Sequence, residues 1–198
     1  MPNTPHRIGL LGGSFNPAHA GHLHISLEAL KKLGLDQIWW LVSPQNPLKP
    51  AKGMAPYAER FASALEVTKD NTTKIKVNDF EEKNGLTFTY ETLKALKKRY
   101  PKTQFVWIMG ADNLAHFHRW QHWREIARML PMAIFDRAPF SHTALRTKAA
   151  QSLAKLRLPE NKTASIIRKP GHWIYMYLLA RRHAASSTEI RASKKVLS

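Results

Sequence analysis

The stretch GGSFNPAHAGH, residues 12–22, connects a short apolar run to a pattern typical of a helix. The apolar run at residues 8–11 predicts the first β-strand. Glycines after a strand let the backbone approach an anion, and the free N–H groups at the start of a helix point towards it. Because the stretch combines a glycine turn with Asn-Pro and His-x-Gly-His, we predict a phosphate-binding site here.

Two histidines in this stretch, His19 and His22, are spaced i and i+3. That spacing places both imidazoles on one side of the first helical turn. Half of a metal site is the alternative, but zinc requires three or four protein ligands. The chain has no cysteine to add to them. We therefore assign the histidines to phosphate and predict no metal site.

The composition is typical of a globular protein. Of the 198 residues, 43% are hydrophobic and 23% are charged, which predicts a single domain over residues 1–198. The longest apolar run, residues 173–180, is far shorter than a membrane span, and the N-terminus lacks the apolar segment of a signal peptide. The absence of cysteine excludes a disulfide framework and a thiol nucleophile. These features predict a cytoplasmic protein without a membrane partner.

The net charge is strongly positive, at +17. A basic protein attracts anions, so the charge leaves a nucleic-acid-binding module open as an alternative. The basic residues are scattered, however, and no arginine-rich arm occurs in the sequence. A substrate that carries several phosphates would gain equally from the positive field, and we expect nucleic acid not to be the partner.

Apolar runs alternate with helical patterns along the chain. We predict strands at residues 8–11, 37–42, 75–79, 104–109, 132–135 and 173–178, and helices at 22–33, 57–69, 89–99, 123–130, 143–156 and 188–194. This alternation predicts an α/β fold with a doubly wound parallel sheet and helices on both faces. The ligand crevice of such a fold lies beyond the carboxyl ends of the strands.

Residues 186–191, SSTEIR, form a second candidate site for phosphate. Ser186 and Glu189 match a capping box at the start of a helix. A cap alone is the simpler interpretation, but hydroxyl and N–H groups at a helix start also bind phosphate. Arg191 lies further along the same helix, with a guanidinium suited to two oxygens.

A third cluster follows the predicted strand at residues 104–109. Asp112 has two candidate roles there, as an acceptor for ribose hydroxyls or as the cap of the next helix. Trp120 stands in a stretch rich in His and Arg. It could stack on a planar ring or pack in the core.

The two phosphate signatures together resemble those of the nucleotidyltransferase superfamily with the HxGH motif. Within that superfamily the chain is similar to the bacterial nicotinate-nucleotide adenylyltransferases. The supporting segments are VSPQNPLK at residues 42–49, TFTYETL at 87–93, and IMGADN at 108–113 followed by FHRW at 117–120. The resemblance covers residues 8–191 and implies a Rossmann-like nucleotidyltransferase fold.

The resemblance implies a reaction in which the phosphate of nicotinate mononucleotide attacks the α-phosphate of ATP. The products would be deamido-NAD and pyrophosphate, in the biosynthesis of NAD. Because the nucleophile is already an anion, positioning and charge neutralisation would replace a strong general base. Mg²⁺ is implied as a cofactor that the ATP phosphates carry. Another adenylyl- or cytidylyltransferase, acting on pantetheine phosphate or a similar acceptor, is the alternative within the superfamily, and a homo-oligomer stays open.

The resemblance also assigns roles to residues. Catalysis is assigned to His22, His19 and Arg191. ATP binding is assigned to Gly12, Gly13, Ser14, Phe15, His19, His22, Lys49, Asp112, Ser187, Thr188 and Arg191. Binding of nicotinate mononucleotide is assigned to Ser14, Phe15, Phe88, Thr89, Trp120 and Arg137. In this assignment Trp120 stacks on the pyridine ring, and Thr89 and Arg137 lie near its carboxylate.

Overall fold

The computed structural model describes residues 6–45, 53–136 and 141–176. The strands within these ranges are β1 (Arg7–Gly13), β2 (Gln37–Val42), β3 (Ile75–Asn78), β4 (Gln104–Gly110), β5 (Met132–Phe135), β6 (Arg157–Leu158) and β7 (Trp173–Met176). They form a parallel sheet in the order β3-β2-β1-β4-β5-β7-β6. The predicted parallel sheet is therefore confirmed.

The α-helices in the same ranges are α1 (Ala20–Leu33), α2 (Tyr57–Thr68), α3 (Phe80–Lys83), α4 (Thr89–Arg99), α5 (Ala111–His116), α6 (Trp123–Met129), α7 (Ser141–Ala144) and α8 (Lys148–Ser152). Short 3-10 helices occupy Lys69–Asn71, Phe117–Arg119, Ala154–Leu156 and Glu160–Arg168. Among the described residues, no helix combines the length and the apolar character needed to cross a bilayer.

The sheet separates two hydrophobic cores. Successive side chains of a strand point to opposite faces, so Leu10 and Leu11 of β1 are both buried but belong to different cores. Helices α1 and α2 cover the face that Leu11 joins, with Ala29 and Ala64 buried against it. Helices α4, α5 and α6 cover the other face, as the burial of Leu114 shows. The predicted doubly wound arrangement, with helices on both faces, is confirmed.

The predicted helix at residues 143–156 is wrong. The chain there forms α7, α8 and a 3-10 turn, and the short strand β6 follows. Thr147 interrupts the helix, because its backbone is extended and its hydroxyl donates a hydrogen bond to the carbonyl of Ala144 at 2.7 Å. Such local bonds from threonine compete with the helical pattern. The predicted helix at residues 188–194 lies outside the described residues.

The order of the strands reverses between β1 and β4, which are neighbours with Leu11 beside Ile108. Ligands of open α/β sheets bind at such a reversal, beyond the carboxyl ends of the strands. The chain leaves β1 after Gly13 and leaves β4 after Gly110. Both predicted ligand-binding segments, residues 12–22 and 110–120, therefore leave the sheet at the same point.

Candidate functional site

The two glycines of the phosphate motif belong to β1, so the turn begins at Ser14 and the predicted glycine turn is a strand end. A Cβ on Gly12 would lie 2.5 Å from Cη2 of Trp107. A Cβ on Gly13 would meet the ring of Phe15 at 3.5 Å, an ordinary contact. The packing of Trp107 thus requires glycine at position 12, whereas the backbone at Gly13 has room for a Cβ atom.

The turn itself is buried and strained. Ser14 is only 4% exposed, and its hydroxyl finds no hydrogen-bond partner among the described residues. Phe15 has a φ of 45°, in the left-handed region that bulky residues rarely adopt. Its ring stacks on Trp40 with centroids 4.9 Å apart and planes 12° apart. Strained backbone held by rigid packing concentrates at ligand sites.

The two histidines cap the helix that they start. His19 is the N-cap of α1, and its Nδ1 accepts the N–H of Gly21 at 3.1 Å. His22 lies one turn later, and its Nδ1 accepts the N–H of His19 at 3.3 Å. Together they form a capping box made of imidazoles, a role usually taken by hydroxyl and carboxyl side chains.

Capping also determines the tautomer of both rings. An Nδ1 that accepts a hydrogen bond carries no proton, so the proton of each neutral ring lies on Nε2. We assign this tautomer from the hydrogen-bond pattern. The ring centroids of His19 and His22 are 3.9 Å apart. The start of α1 thus pairs two Nε2–H donors with the positive end of a helix dipole.

Polar side chains fix the turn to its surroundings. Asn16 donates to the carbonyl of Gly53 at 3.0 Å and accepts the N–H of Ala55 at 3.2 Å. The hydroxyl of Ser63 in α2 accepts the N–H of Ala18 at 3.0 Å. The Asn16–Pro17 peptide bond is cis. The hydrogen bonds of Asn16 and Ala18 hold the turn in place beside α2.

Arg60, which the sequence analysis missed, lies buried on the inner face of α2. Its guanidinium donates to four main-chain carbonyls, at 2.7 Å to Ser14, 2.7 Å to Ser43, 2.6 Å to Pro44 and 3.0 Å to Ala55. The sequence does contain one signal. Arg60 occupies the same helical stripe as the buried residues of α2, where an arginine is unusual.

The residues predicted to bind the mononucleotide include Phe88 and Thr89, at the start of α4. Phe88 is the N-cap residue and is 38% exposed, and Thr89 is the first residue of the helix. The hydroxyl of Thr92, one turn on, donates to the buried carboxyl of Glu81 at 3.0 Å. Glu81 also hydrogen-bonds with the side chain of Ser43, which follows β2. The start of α4 is thereby tied to the segment beside the phosphate turn.

Burial raises the pKa of Glu81 to about 7, although the hydrogen bonds from Thr92 and Ser43 favour the charged form. A buried carboxyl that titrates near neutral pH often marks a functional site, but structural networks produce the same shift. The position of Glu81 between Thr92 and Ser43 favours a structural role here.

Asp112 and Trp120 follow β4. Gly110 is the N-cap of α5, so the alternative in which Asp112 caps that helix is wrong. Trp120 is half-buried, and its ring meets Trp107 and Phe117 edge-on at 6.1 and 5.4 Å. Of the two alternatives, packing of Trp120 against the core is observed, and its stacking on a ligand stays a prediction.

The structure brings most of the predicted site residues to one edge of the sheet. Gly12, Gly13, Ser14, Phe15, His19, His22, Phe88, Thr89, Asp112 and Trp120 lie at, or directly after, the carboxyl ends of strands or at helix starts beyond them. The remaining predicted residues, Lys49, Arg137, Ser187, Thr188 and Arg191, lie outside the described residues. Within the described ranges, His, Asp and Glu side chains form no cluster of three or more that could hold a metal.

Comparison with known proteins gives one family. The profile of the cytidylyltransferase-like family matches residues 10–193. A protein of Bradyrhizobium sp. BTAi1 named "probable nicotinate-nucleotide adenylyltransferase" is 48% identical over 93% of this chain and 95% of its own length. A Gluconobacter oxydans protein of the same name is 45% identical over 94% of both chains.

Solved structures show the same fold. The nicotinic acid mononucleotide adenylyltransferase of Plasmodium falciparum, complexed with NaAD, superposes with a TM-score of 0.71 and 19% identity. The match covers 94% of this chain and 83% of the Plasmodium chain. The fold is therefore that of a nucleotidyltransferase.

Proposed function

Because the chain belongs to the cytidylyltransferase-like family, and within it to the nicotinate-nucleotide adenylyltransferases, we propose that it joins nicotinate mononucleotide to ATP. The products are nicotinate adenine dinucleotide, or deamido-NAD, and pyrophosphate. The observation that carries this proposal is the imidazole capping box of His19 and His22 beside the buried turn at Ser14. It combines ring donors, backbone N–H groups and a helix dipole at the switch point of the sheet, which suits a polyphosphate.

The proposed reaction is an in-line phosphoryl displacement. An oxygen of the mononucleotide phosphate forms a bond to the α-phosphorus of ATP. The bond from that phosphorus to the bridging oxygen breaks, and its electron pair leaves with pyrophosphate. Since the nucleophile is already anionic, no proton has to move. The protein therefore contributes alignment and stabilisation of the charge that moves to the leaving group.

Different residues are assigned to different parts of ATP. We assign the Nε2–H donors of His19 and His22 to the triphosphate, and the backbone after Gly13 to the phosphate groups nearest the sheet. Asp112 is assigned to a ribose of ATP. The predicted roles of Lys49, Ser187, Thr188 and Arg191 towards ATP remain sequence-based. Mg²⁺ would reach the site on the triphosphate, whose oxygens together with water suit its octahedral preference.

The acceptor is assigned to the region between α4 and Trp120. The exposed part of Phe88 and the half-buried ring of Trp120 offer flat apolar surface for a pyridine ring. The start of α4 at Thr89 offers hydrogen-bond donors to a carboxylate. A pocket of donors favours nicotinate over nicotinamide, because the amide also needs an acceptor. Arg137 is assigned to the same carboxylate from sequence alone.

A pyrophosphate-release assay with a panel of acceptors tests the proposal. The panel holds nicotinate mononucleotide, nicotinamide mononucleotide and pantetheine phosphate, each with ATP and Mg²⁺. We expect the highest kcat/KM with nicotinate mononucleotide and only background release without an acceptor. Turnover with pantetheine phosphate and none with either pyridine nucleotide would contradict the assignment of the acceptor. Light scattering during gel filtration decides whether the chain forms a homo-oligomer. Cell fractionation tests the predicted cytoplasmic location.

A further inference from the structure

Arg60 is a buried cation whose hydrogen bonds all go to main-chain carbonyls. Its side chain is 2% exposed. None of the ion pairs between described residues includes it. Burying a charge without a carboxylate costs free energy that an apolar residue of similar size would avoid. The position of Arg60 beside the phosphate turn explains why a charged residue is buried here despite that cost.

The four carbonyls come from three segments that meet at the site. Ser14 belongs to the phosphate turn, Ser43 and Pro44 follow β2, and Ala55 precedes α2. A guanidinium can join them because its donors form a rigid, planar fork. Fixing the carbonyl of Ser14 also fixes the plane of the next peptide, and hence the direction of the N–H of Phe15.

The same guanidinium places a positive charge directly behind the turn. Its Nη1 lies 2.7 Å from the carbonyl oxygen of Ser14. Burial lowers the pKa of Arg60, but a guanidinium stays charged at neutral pH. A charge in a poorly hydrated region acts more strongly on a nearby anion than a charge in water does. The anion that would balance it is the polyphosphate of the proposed substrate.

Ser43 extends these hydrogen bonds towards α4, the helix assigned to the mononucleotide. Its N–H donates to the carbonyl of Gly13 at 2.9 Å, its carbonyl accepts from Arg60, and its side chain hydrogen-bonds with Glu81. Glu81 in turn accepts from Thr92 in α4. A chain of polar contacts thus connects the phosphate turn with the helix that carries Thr89.

We propose that Arg60 is a positioning residue of this site, which holds the phosphate turn against the segment after β2 and places a buried positive charge behind it. The proposal rests on the proposed function only in taking the ligand at the turn to be a nucleoside triphosphate. Arg60 does not touch the substrate. It acts through the backbone of Ser14 and Ser43.

Two substitutions test the proposal. Arg60→Met keeps the aliphatic part of the side chain and removes the donors and the charge. Arg60→Lys keeps the charge, but its single nitrogen cannot reach four carbonyls around a fork. We expect kcat/KM for ATP to fall about a hundredfold in Arg60→Met and about tenfold in Arg60→Lys, as for the loss of preorganised electrostatic stabilisation. Binding of a non-hydrolysable ATP analogue, measured by calorimetry, should weaken in the same order.

Arg7→Met is the matched control. Arg7 donates to Asp36 at 3.2 Å at the start of β1, at the opposite edge of the sheet. Its loss should lower Tm and leave the kinetics at a temperature well below Tm unchanged. All assays are run where circular dichroism shows each variant folded. If Arg60→Met does not fold, Arg60→Lys decides.

The outcomes separate the two proposals. Wild-type binding of the ATP analogue with wild-type kinetics in a folded Arg60→Lys variant would overturn the role of Arg60 and leave the proposed function intact. A wild-type protein that binds no ATP analogue would instead overturn the proposed function. A lower Tm in the Arg60 variants with unchanged kcat and KM would reduce Arg60 to a purely structural residue.

Discussion

Residues His19 and His22 serve the fold and the chemistry with different nitrogen atoms. Each Nδ1 accepts a main-chain N–H at the start of α1, so in the neutral ring the proton lies on Nε2. The cap holds the ring in place, so the donor is positioned before a ligand binds. This separation of roles within one ring makes the two functions separable by mutation.

Substitution of His22 tests the separation. His22→Ala removes both nitrogens, so kcat should fall about a hundredfold or more and stability should fall by about 1 kcal/mol with the cap. His22→Asn supplies an acceptor near the position of Nδ1 but does not reach the position of Nε2. We expect it to recover much of the stability and none of kcat. Steady-state kinetics and urea unfolding measure the two effects, and full activity in His22→Ala would remove His22 from the mechanism.

The two adjacent glycines should respond in opposite ways. Gly12→Ala drives a Cβ towards the buried ring of Trp107, and such overpacking should cost about 1–3 kcal/mol of unfolding free energy. Gly13→Ala makes only an ordinary contact with Phe15, so Tm should change little. If the triphosphate approaches the backbone at Gly13, KM for ATP should rise severalfold. An unchanged KM in Gly13→Ala would place the phosphates elsewhere on the turn.

At the scale of elements, polar side chains from α2 and α3 hydrogen-bond to segments outside their own helices. Arg60 and Ser63 of α2 bind the phosphate turn, and Glu81 of α3 binds Thr92 of α4. Hydrophobic packing places the elements, but it is not directional. Hydrogen bonds with defined geometry therefore determine how the loops between the elements sit.

The titration of Glu81 should appear in the stability of the protein. Its pKa is about 7 in the folded state, against an ordinary value of 4.5. Between these two pH values the unfolded chain loses a proton that the folded chain keeps, so the unfolding free energy falls as pH rises through this window. Well above pH 7 both states are ionised, and the group contributes no further change.

Glu81→Gln removes this titration while keeping an oxygen that can accept from Thr92. The stability of Glu81→Gln relative to wild type should therefore rise from about pH 5 to about pH 8, by up to about 3 kcal/mol. Urea unfolding at the two pH values measures the difference. The matched control is Glu82→Gln, since Glu82 is an exposed neighbour on the same helix. An equal pH dependence in both variants would contradict the assignment to Glu81.

At the scale of the whole molecule, the charge of +17 fits a protein whose proposed substrates are both phosphorylated. Helices α1, α4 and α5 all begin at the ligand edge of the sheet, and their dipoles add positive potential there. A positive field of this kind raises the local concentration of anionic substrates.

One sheet with a core on each face also predicts cooperative unfolding. We propose that the chain forms a single domain, so thermal unfolding followed by far-UV circular dichroism and by tryptophan fluorescence should give coincident transitions. ATP at about a hundred times its Kd should raise the unfolding free energy by about 2.7 kcal/mol and shift both transitions together. Two separated transitions would contradict the single domain.

The sequence was sufficient for the strands and for the motif. Strands β2 and β5 begin and end where predicted, because apolar runs buried on both faces give a strong local pattern. His19 and His22 were found because they are spaced i and i+3, and a helix brings side chains at that spacing close together. The helix predicted at residues 143–156 was wrong because Thr147 has an extended backbone and its hydroxyl bonds to the carbonyl of Ala144.

Local patterns were enough to predict β1 to β5, the helices α1, α2, α4 and α6 between them, and the pair His19 and His22 at the start of α1, because each such pattern depends on neighbours within a few residues. Three contacts became visible only in the folded chain. Arg60 hydrogen-bonds to a turn 46 residues away, and Glu81 links α3 to α4. The ring of Trp107 leaves no room for a Cβ at Gly12. The partners of Arg60 are main-chain carbonyls, which every residue carries. Such a contact leaves no trace in the amino-acid pattern until the chain has folded.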